Sequence, residues 1–180
     1  RMLKPSFSLF INGSYGNKVY NYLSMKLTHM NSPWTNQLNA VNGRAQLVPI
    51  NPNKVYEDGT MWYNDVSNVM VANPGASIPR ATINDPNDND RISDRYIEDG
   101  SYIRLKNISL GYTFPKKTID KLGLSNLRIY ANIQNLLTIT GYDGYDPEIG
   151  ASTSSVNVYG LDNGRYPSPT VYSFGLNVSF

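Results

Sequence analysis

The fold of this chain is decided by its last stretch, Thr170–Phe180, which reads T-V-Y-S-F-G-L-N-V-S-F. Successive side chains of a β-strand point to opposite faces of the sheet. One face of this stretch is therefore apolar, and the other is small and mostly polar. The apolar face carries Tyr172, Phe174, Leu176, Val178 and Phe180. The stretch predicts a strand of about the 9–11 residues with which a tilted β-strand crosses a bilayer.

Two environments suit such a strand. It can close an outer-membrane β-barrel, with its apolar face in lipid, or it can be an amphipathic strand of a soluble sandwich or barrel. The final residue is the aromatic Phe180. Because chain ends of soluble proteins are usually frayed and polar, this ending favours the membrane barrel.

Three further stretches alternate in the same way and predict strands over 3–15, 101–114 and 127–139. In 127–139, Leu127, Ile129, Ala131, Ile133, Leu137 and Ile139 share one face. The stretch 101–114 changes phase, because Ile103 and Leu105 have the opposite parity to Ile108 and Leu110. We therefore expect a β-bulge near Lys106 and Asn107.

The connections between these strands alternate in length. Long loops are predicted over 17–100 and 140–169, and a short connection over 115–126. Val19–Met30 could form a short helix within the first loop. In the short connection, 116–122 is predicted to form one or two helical turns closed by Gly123. Long loops on one side and short turns on the other are typical of outer-membrane barrels.

The fold class predicted is therefore all-β, as the C-terminal strands of a large transmembrane antiparallel β-barrel with two long extracellular loops. Four strands make only a partial barrel, because a membrane barrel needs at least about eight. An open edge in lipid would leave backbone groups unpaired. The remaining strands are expected upstream in a longer polypeptide or in other chains.

Composition excludes several function classes. The chain has 180 residues and a net charge of +2, so it suits one domain and offers no charge-based case for nucleic-acid binding. It has no cysteine, and its single histidine, His29, poorly supports a multi-histidine metal site or a Ser-His-Asp triad. No export signal opens the chain, so we expect a fragment or a processed form if the protein is in the outer membrane.

Several motifs resemble the C-terminal part of SusC/RagA-type TonB-linked outer-membrane transporters. The most specific is the run at 91–107, R-I-S-D-R-Y-I-E-D-G-S-Y-I-R-L-K-N. The others include A-N-I-Q-N-L at 131–136, Y-D-P-E at 145–148 and the terminal S-F-G-L-N-V-S-F at 173–180. The resemblance covers nearly the whole chain in the same order.

The resemblance implies a 22-stranded barrel with a plug, which imports glycans or peptides with energy relayed through TonB. It also implies a SusD-like surface lipoprotein as a lid. Plug, TonB box and signal peptide are absent from this chain. The segment is thus expected to supply barrel wall and extracellular loops, in contact with outer-membrane lipid, without enzymatic activity or a required cofactor. The alternative is a soluble β-rich glycan-binding module.

Aromatic and acidic side chains in the predicted loops are candidates for substrate contact. Aromatic rings can stack on sugar faces, and carboxylates can accept sugar hydroxyls. The same residues could equally anchor the loops by packing. The candidates are Trp34, Trp62, Tyr63, Tyr142, Asp143, Tyr145 and Asp146.

Two further features of the sequence have a possible role as sites. Asp85, Asp88 and Asp90 are weak candidates for a calcium site, but an EF-hand loop needs Gly at its sixth position and Glu at its twelfth. Counted from Asp85, those positions hold Asp90 and Tyr96. A turn capped by its own side chains is the alternative. The resemblance further implies that Phe174, Leu176, Val178 and Phe180 form the signal read by the barrel-assembly machinery; an interface anchor is the simpler role.

Overall fold

The computed structural model describes residues 4–30, 33–82, 84–149 and 159–180. The strands are β1 (Lys4–Ser14), β2 (Lys18–Asn21), β3 (Leu47–Pro49), β4 (Val69–Val71), β5 (Ile97–Asp99), β6 (Tyr102–Thr113), β7 (Asn126–Thr140), β8 (Leu161–Asp162) and β9 (Val171–Ser179). The α-helices are α1 (Tyr22–Thr28) and α2 (Lys116–Ile119). Short 3₁₀ helices span Asn39–Gly43, Trp62–Asn64, Val66–Asn68, Asp94–Tyr96 and Asp120–Leu122.

The largest element is an antiparallel sheet of four strands in the order β1-β6-β7-β9. These strands correspond to the four predicted from alternation, and each begins and ends within one residue of its predicted range. Residue 3, where the first was expected to begin, lies outside the described residues. The sheet is open, because β1 and β9 each have one edge without a strand partner in the described part of the chain. The predicted partial barrel of antiparallel strands is thus confirmed as a fold.

The expected bulge is present in β6. Phe10 of β1 pairs with Asn107, whereas the next residue, Ile11, pairs with Leu105, so Lys106 is an extra residue. The pairing of β6 with β7 shifts at the same place. Because side chains alternate with period two, the extra residue returns Leu105 to the face that also carries Ile108.

As a result, the sheet has one continuous apolar face. Ladders of paired residues cross it, such as Phe7–Leu110–Ala131–Phe174 and Leu9–Ile108–Ile133–Tyr172. These side chains are exposed for the most part; Phe174, for example, is 82% accessible. No described element packs on this face, so it requires an apolar environment from outside the described residues.

The other face is polar, and two large side chains lie along it. Tyr130 lies across its partner Gly175, where its ring occupies the space of a Cβ atom. Arg128 lies over Gly111, and its Nη2 donates a hydrogen bond of 3.1 Å to Ser6 Oγ. Glycine at these positions lets the long side chains lie close to the backbone.

The two helical predictions differ in outcome. The predicted helix over 19–30 is too long, because Val19 and Tyr20 belong to β2 and the helix begins at Tyr22. The predicted turns after Pro115 are confirmed, since α2 and the following 3₁₀ turn end at Gly123 with φ +67°. A left-handed residue that ends a helix is commonly glycine.

The chain divides into two compact units, residues 1–21 with 97–180 and residues 22–96. The first contains the large sheet and a small sheet in the order β5-β2-β8. The second contains α1 and the hairpin of β3 with β4. None of the described helices has the length and apolar character to span a membrane.

Candidate functional site

A polar pocket of about 660 Å³ lies in the first unit. It is bordered by the ends of β1 and β6 at Ser14 and Tyr102, and by the loop segments on either side of β8. Its lining combines two aromatic rings, several amide and hydroxyl groups and four charged side chains. The lining residues used below are Asn17, Lys18, Tyr102, Lys106, Glu148, Tyr159 and Arg165. Aromatic faces with convergent polar groups are the common composition of a small-ligand site.

Arg104 of β6 is the buried cation that organises one side of this pocket. Its side chain is 4% exposed. Its Nη2 donates to Asp146 at 2.5 Å, its Nη1 to Glu148 at 2.8 Å and its Nε to Thr138 Oγ1 at 2.7 Å. The planar guanidinium thereby fixes two carboxylates of the loop after β7 against the sheet.

The bulge brings a second cation into the same cluster. Lys106, the extra residue of β6, donates to Glu148 Oε1, while Glu148 Oε2 accepts from Arg104. Glu148 therefore bridges two cations and lines the pocket with its partly exposed carboxylate. The bulge thus sets the phase of β6 and also directs a charged group at the pocket.

Asp146 is held by backbone donors as well as by Arg104. The N–H groups of Glu148 and Ser168 each donate to it at 3.0 Å. Burial acts to raise the pKa of Asp146, but the bond from Arg104, these two N–H groups and the Arg104 charge together lower it below its usual range. The carboxylate is therefore ionised at neutral pH and ties two loop segments to β6.

The turn after β8 carries a second buried polar pair. Tyr142 donates its hydroxyl to Asp162 Oδ2 at 2.5 Å, and both side chains are buried. Burial, followed by the hydrogen bond to Asp162 and the Asp162 charge, raises the pKa of Tyr142. Asp162 Oδ1 accepts from the backbone N–H groups of Gly164 and Arg165. This arrangement fixes the backbone at Arg165, on the border of the pocket.

Two of the predicted substrate contacts, Tyr142 and Asp146, are buried. Tyr142 and Asp146 are 5% and 4% exposed, and the hydrogen bonds above occupy their polar atoms and hold the loops; contact of these two with substrate stays a prediction. The motif Y-D-P-E at 145–148 contains Asp146, but it gave no sign that this side chain is buried. Asp143 and Tyr145 of the same loop are exposed, and direct contact of these two with substrate stays a prediction.

The remaining predicted contacts lie in the second unit. Trp62 and Tyr63 border a cleft of about 870 Å³, and their rings meet edge to face at 5.7 Å. The guanidinium of Arg80, which also borders the cleft, lies 6.0 Å from the Tyr63 ring. Trp34 is 92% exposed. These three aromatic residues stay predicted contacts, in a region distinct from the polar pocket.

Of the three predicted calcium candidates, Asp85 and Asp90 lie close together and Asp88 does not join them. Asp85 and Asp90 approach His29, and one ligand atom from each lies within 4.8 Å of the others, whereas Asp88 is exposed. Asp85 accepts from Asn89 Nδ2 at 2.8 Å and from the Asp90 N–H at 3.2 Å, and it lies 3.0 Å from His29 Nε2.

These donors account for the position of Asp85 without an ion. Burial acts to raise the pKa of Asp85, but the bonds from His29, Asn89 and the Asp90 N–H lower it. Asp85 has φ +33° and Asp88 has φ +49°, left-handed conformations that Asp tolerates in turns. The arrangement matches the capped-turn alternative, and calcium binding by these residues stays the other alternative.

The proposed assembly signal lies at the sheet edge. Phe174, Leu176 and Val178 of β9 are exposed on the apolar face, and Phe180 is 94% exposed. The Ser125 N–H and hydroxyl bind the carbonyls of Ser179 and Phe180, which ties this end to the turn before β7. Recognition of these residues by assembly machinery stays a prediction.

Sequence reasoning missed the residues that build the pocket: Arg104, Lys106, Glu148, Tyr159 and Arg165. One signal was available, because Arg104 is a charged residue directly between the apolar Ile103 and Leu105 in a predicted membrane strand. Such a residue in a membrane strand marks the inward face. Its loop partners, 42 and 44 residues away, could not be identified from spacing.

Comparison with known proteins identifies relatives over nearly the whole chain. It is 33% identical over 178 residues to TonB-dependent receptor P3 of Formosa agariphila, covering 96% of this chain and 15% of that protein. TonB-dependent receptor P26 of the same organism is 31% identical over 97% of this chain and 15% of its own length. TonB-dependent receptor SusC of Bacteroides thetaiotaomicron is 36% identical over 51% of this chain and 8% of its own. No protein-family model matches the chain.

Solved structures show the same fold. The RagAB peptide importer in its closed-closed state matches with a TM-score of 0.63 and 19% identity over 98% of this chain and 16% of that chain. Its open-open state matches with a TM-score of 0.60 and 17% identity, with the same coverage. The chain thus spans about 15% of the length of receptors P3 and P26.

Proposed function

Since the chain is a segment of a SusC/RagA-type TonB-dependent receptor of the outer membrane, we propose that it forms part of the wall of an importer and that its polar pocket contacts the imported solute. The observation that carries this proposal is the division of one sheet into an exposed apolar face and a polar face, with the pocket at one end of its strands. The solute is proposed to be a glycan or a peptide.

The apolar face suits lipid. Its strands are 9 to 15 residues long, which is enough to cross the hydrocarbon layer at the tilt of a barrel strand. The polar face then borders the interior of the barrel. The neighbouring strands are proposed to come from the rest of a longer polypeptide.

The pocket lies at the end of the sheet where the long connections leave. Ser14 ends β1, Tyr102 begins β6 and Thr140 ends β7, and these three residues are paired in one row. The short connection through α2 lies at the opposite end. In barrels of this kind long loops are extracellular, so we place the pocket where a solute enters.

Partners are proposed on the same basis. A SusD-like surface lipoprotein would approach the long-loop end, and a TonB complex would act through a plug that this segment does not contain. The proposed role is transport without catalysis. The alternative of a soluble glycan-binding module is disfavoured by the unpartnered apolar face, which would be exposed to water.

The test uses the full-length receptor purified in detergent. Tyr159→Ala removes an aromatic ring from the pocket border, and Tyr15→Ala removes one that is 97% exposed outside it. We expect Tyr159→Ala to weaken binding of the imported solute about tenfold, as expected for loss of a ring contact, and Tyr15→Ala to leave it unchanged. Equal affinity of both variants and the parent for glycan and peptide libraries would contradict solute contact at this pocket.

A further inference from the structure

The charged side chains around the polar pocket do not balance. Arg104 is matched by Asp146, Lys106 by Glu148 and Lys18 by Asp99 at 3.7 Å. Arg165 also lines the pocket, but its guanidinium has no hydrogen bond or ion pair with any residue in 4–30, 33–82, 84–149 or 159–180. One cation is thus left over after the pairs are assigned.

The backbone of Arg165 is fixed, although its side chain has no polar partner in the part of the chain that the structure describes. Gly164, with φ +79°, precedes it in a left-handed conformation that other residues adopt with strain. The N–H groups of Gly164 and Arg165 donate to Asp162 Oδ1 at 2.9 and 3.3 Å. Both carboxylate oxygens of Asp162 therefore already accept hydrogen bonds, from these backbone N–H groups and from the Tyr142 hydroxyl. A fixed backbone reduces the ordering cost when the guanidinium binds a ligand.

An unused acceptor borders the same pocket. Asn17 Oδ1 is buried and has no hydrogen-bond partner among the described residues, and Asn17 lines the pocket. Buried amide oxygens are nearly always satisfied, so this one is suited to a donor from a ligand. A hydroxyl or an amide N–H on the ligand would supply that donor.

We infer that this pocket selects solutes that carry a carboxylate beside a hydroxyl or amide donor, with Arg165 binding the carboxylate and Asn17 accepting the donor. The inference rests on the proposed function, because it assigns a substrate class to the proposed site. Guanidinium matches a carboxylate with two parallel hydrogen bonds, which a neutral group cannot supply. A uronic-acid residue of a glycan and an acidic side chain or terminus of a peptide share this chemistry.

The experiment measures binding to the full-length receptor by calorimetry with two matched pairs of ligands. Oligogalacturonate is compared with neutral galactose oligomers of equal length, and a Glu-containing peptide with its Gln counterpart. The pair that binds identifies the source of the carboxylate. We expect the acidic member to bind about tenfold or more tightly, as for a hydrogen bond between charged groups.

Three variants separate the possible results. Arg165→Gln should remove the preference for the acidic ligand of each pair. Asn17→Ala should weaken the binding of both ligands alike. Lys117→Gln is the control and should leave both affinities unchanged, because that exposed lysine lies on α2 away from the pocket lining. A preference that survives Arg165→Gln overturns the inference.

The measurements distinguish an error in the carboxylate assignment from an error in the location of the solute-binding site. If the wild-type receptor binds both members equally and Tyr159→Ala weakens both, the pocket binds solute but the carboxylate assignment is wrong. If Tyr159→Ala and Arg165→Gln both leave every affinity unchanged, the proposed site itself is wrong.

Discussion

Tyr130 and Gly175 are directly paired across β7 and β9, and the tyrosine ring occupies the position where a Cβ atom of residue 175 would lie. Glycine in a strand interior usually weakens the strand, because it adds no side chain to pack. Here the neighbouring aromatic ring fills that space and covers the backbone, as in the aromatic rescue of glycine used in designed sheets.

The first prediction concerns this pair. Gly175→Val should displace the ring and cost about 1–3 kcal/mol of folding free energy, as overpacking commonly does. The fraction of full-length receptor that reaches the heat-modifiable folded form in the outer membrane should fall. Ser173→Val, on the same strand and face, is the control and should assemble normally. Adding Tyr130→Ala to Gly175→Val should restore part of the loss; no restoration would show that the ring is not the cause.

The second prediction concerns the buried ion pair of Arg104 with Asp146. Asp146→Asn removes one charge and leaves Glu148 as the one carboxylate that accepts from the guanidinium among the described residues, which should lower the free energy of local opening by about 3 kcal/mol. Hydrogen exchange of the segments 141–149 and 159–169 measures this opening. Asp143→Asn, at an exposed carboxylate in the same loop, should change it by no more than about 0.5 kcal/mol. Equal protection in both variants would contradict a structural role for Asp146.

The third prediction is the pH dependence of the same loop. The pKa of Asp146 is lower in the folded protein than in the unfolded chain, where it is about 3.9. The stabilisation is therefore present above about pH 4 and is lost as pH falls through the lower folded pKa. Protection of the loop should be constant from about pH 7 to 5 and should decline below about pH 4. In Asp146→Asn, the loss of protection that comes from protonating residue 146 should be absent. If the variant loses protection at low pH as the parent does, Asp146 is not the group responsible.

The fourth prediction compares two tyrosines of one loop. Tyr142→Phe removes the donor to the buried Asp162 and should cost about 1–3 kcal/mol of local stability, because a buried carboxylate oxygen loses its partner. Tyr145 is 64% exposed, so Tyr145→Phe should be neutral within about 0.5 kcal/mol. Limited proteolysis of the intact receptor within 141–166 measures the difference. The reverse order of sensitivity would contradict the buried role of Tyr142.

The fifth prediction concerns calcium. Asp85 is satisfied by protein donors, so neither added calcium nor a chelator should change the hydrogen exchange of residues 84–96. His29→Gln, in contrast, should loosen this segment, because it removes the contact of His29 with Asp85. Protection by calcium that disappears in Asp85→Asn would establish a metal site and overturn this prediction.

Alternation predicted the large sheet because each strand has a single apolar face in contact with one environment. The phase change between Leu105 and Ile108 was sufficient to locate the bulge, since period two leaves no other way to keep both on one face. The small strands β2, β5 and β8 could not be predicted. They have two to four residues each, too few for a pattern, and they form through pairing with distant segments.

The candidate site shows why residue type alone did not suffice. Tyr142 and Tyr145 occur in one repeated Gly-Tyr-Asp motif, yet one is buried and the other is exposed. The difference arises from Asp162, which is 20 residues away and accepts the Tyr142 hydroxyl. Glu98 likewise accepts the backbone N–H of Asp143 from a distance of 45 residues. Such partners are fixed by the folded chain and leave no local signal.

The single extra residue Lys106 also has a consequence at the level of the gene. Deleting its codon would remove only one residue from a 12-residue strand. It would nevertheless move the side chain of every residue from Tyr102 to Leu105 to the opposite face of the sheet. Arg104 would be turned toward hydrocarbon and Leu105 toward the interior. A codon lost from the exposed turn at 51–54 would carry no such reversal. Natural length variation in this receptor is therefore expected in its loops and excluded at this one position in the wall.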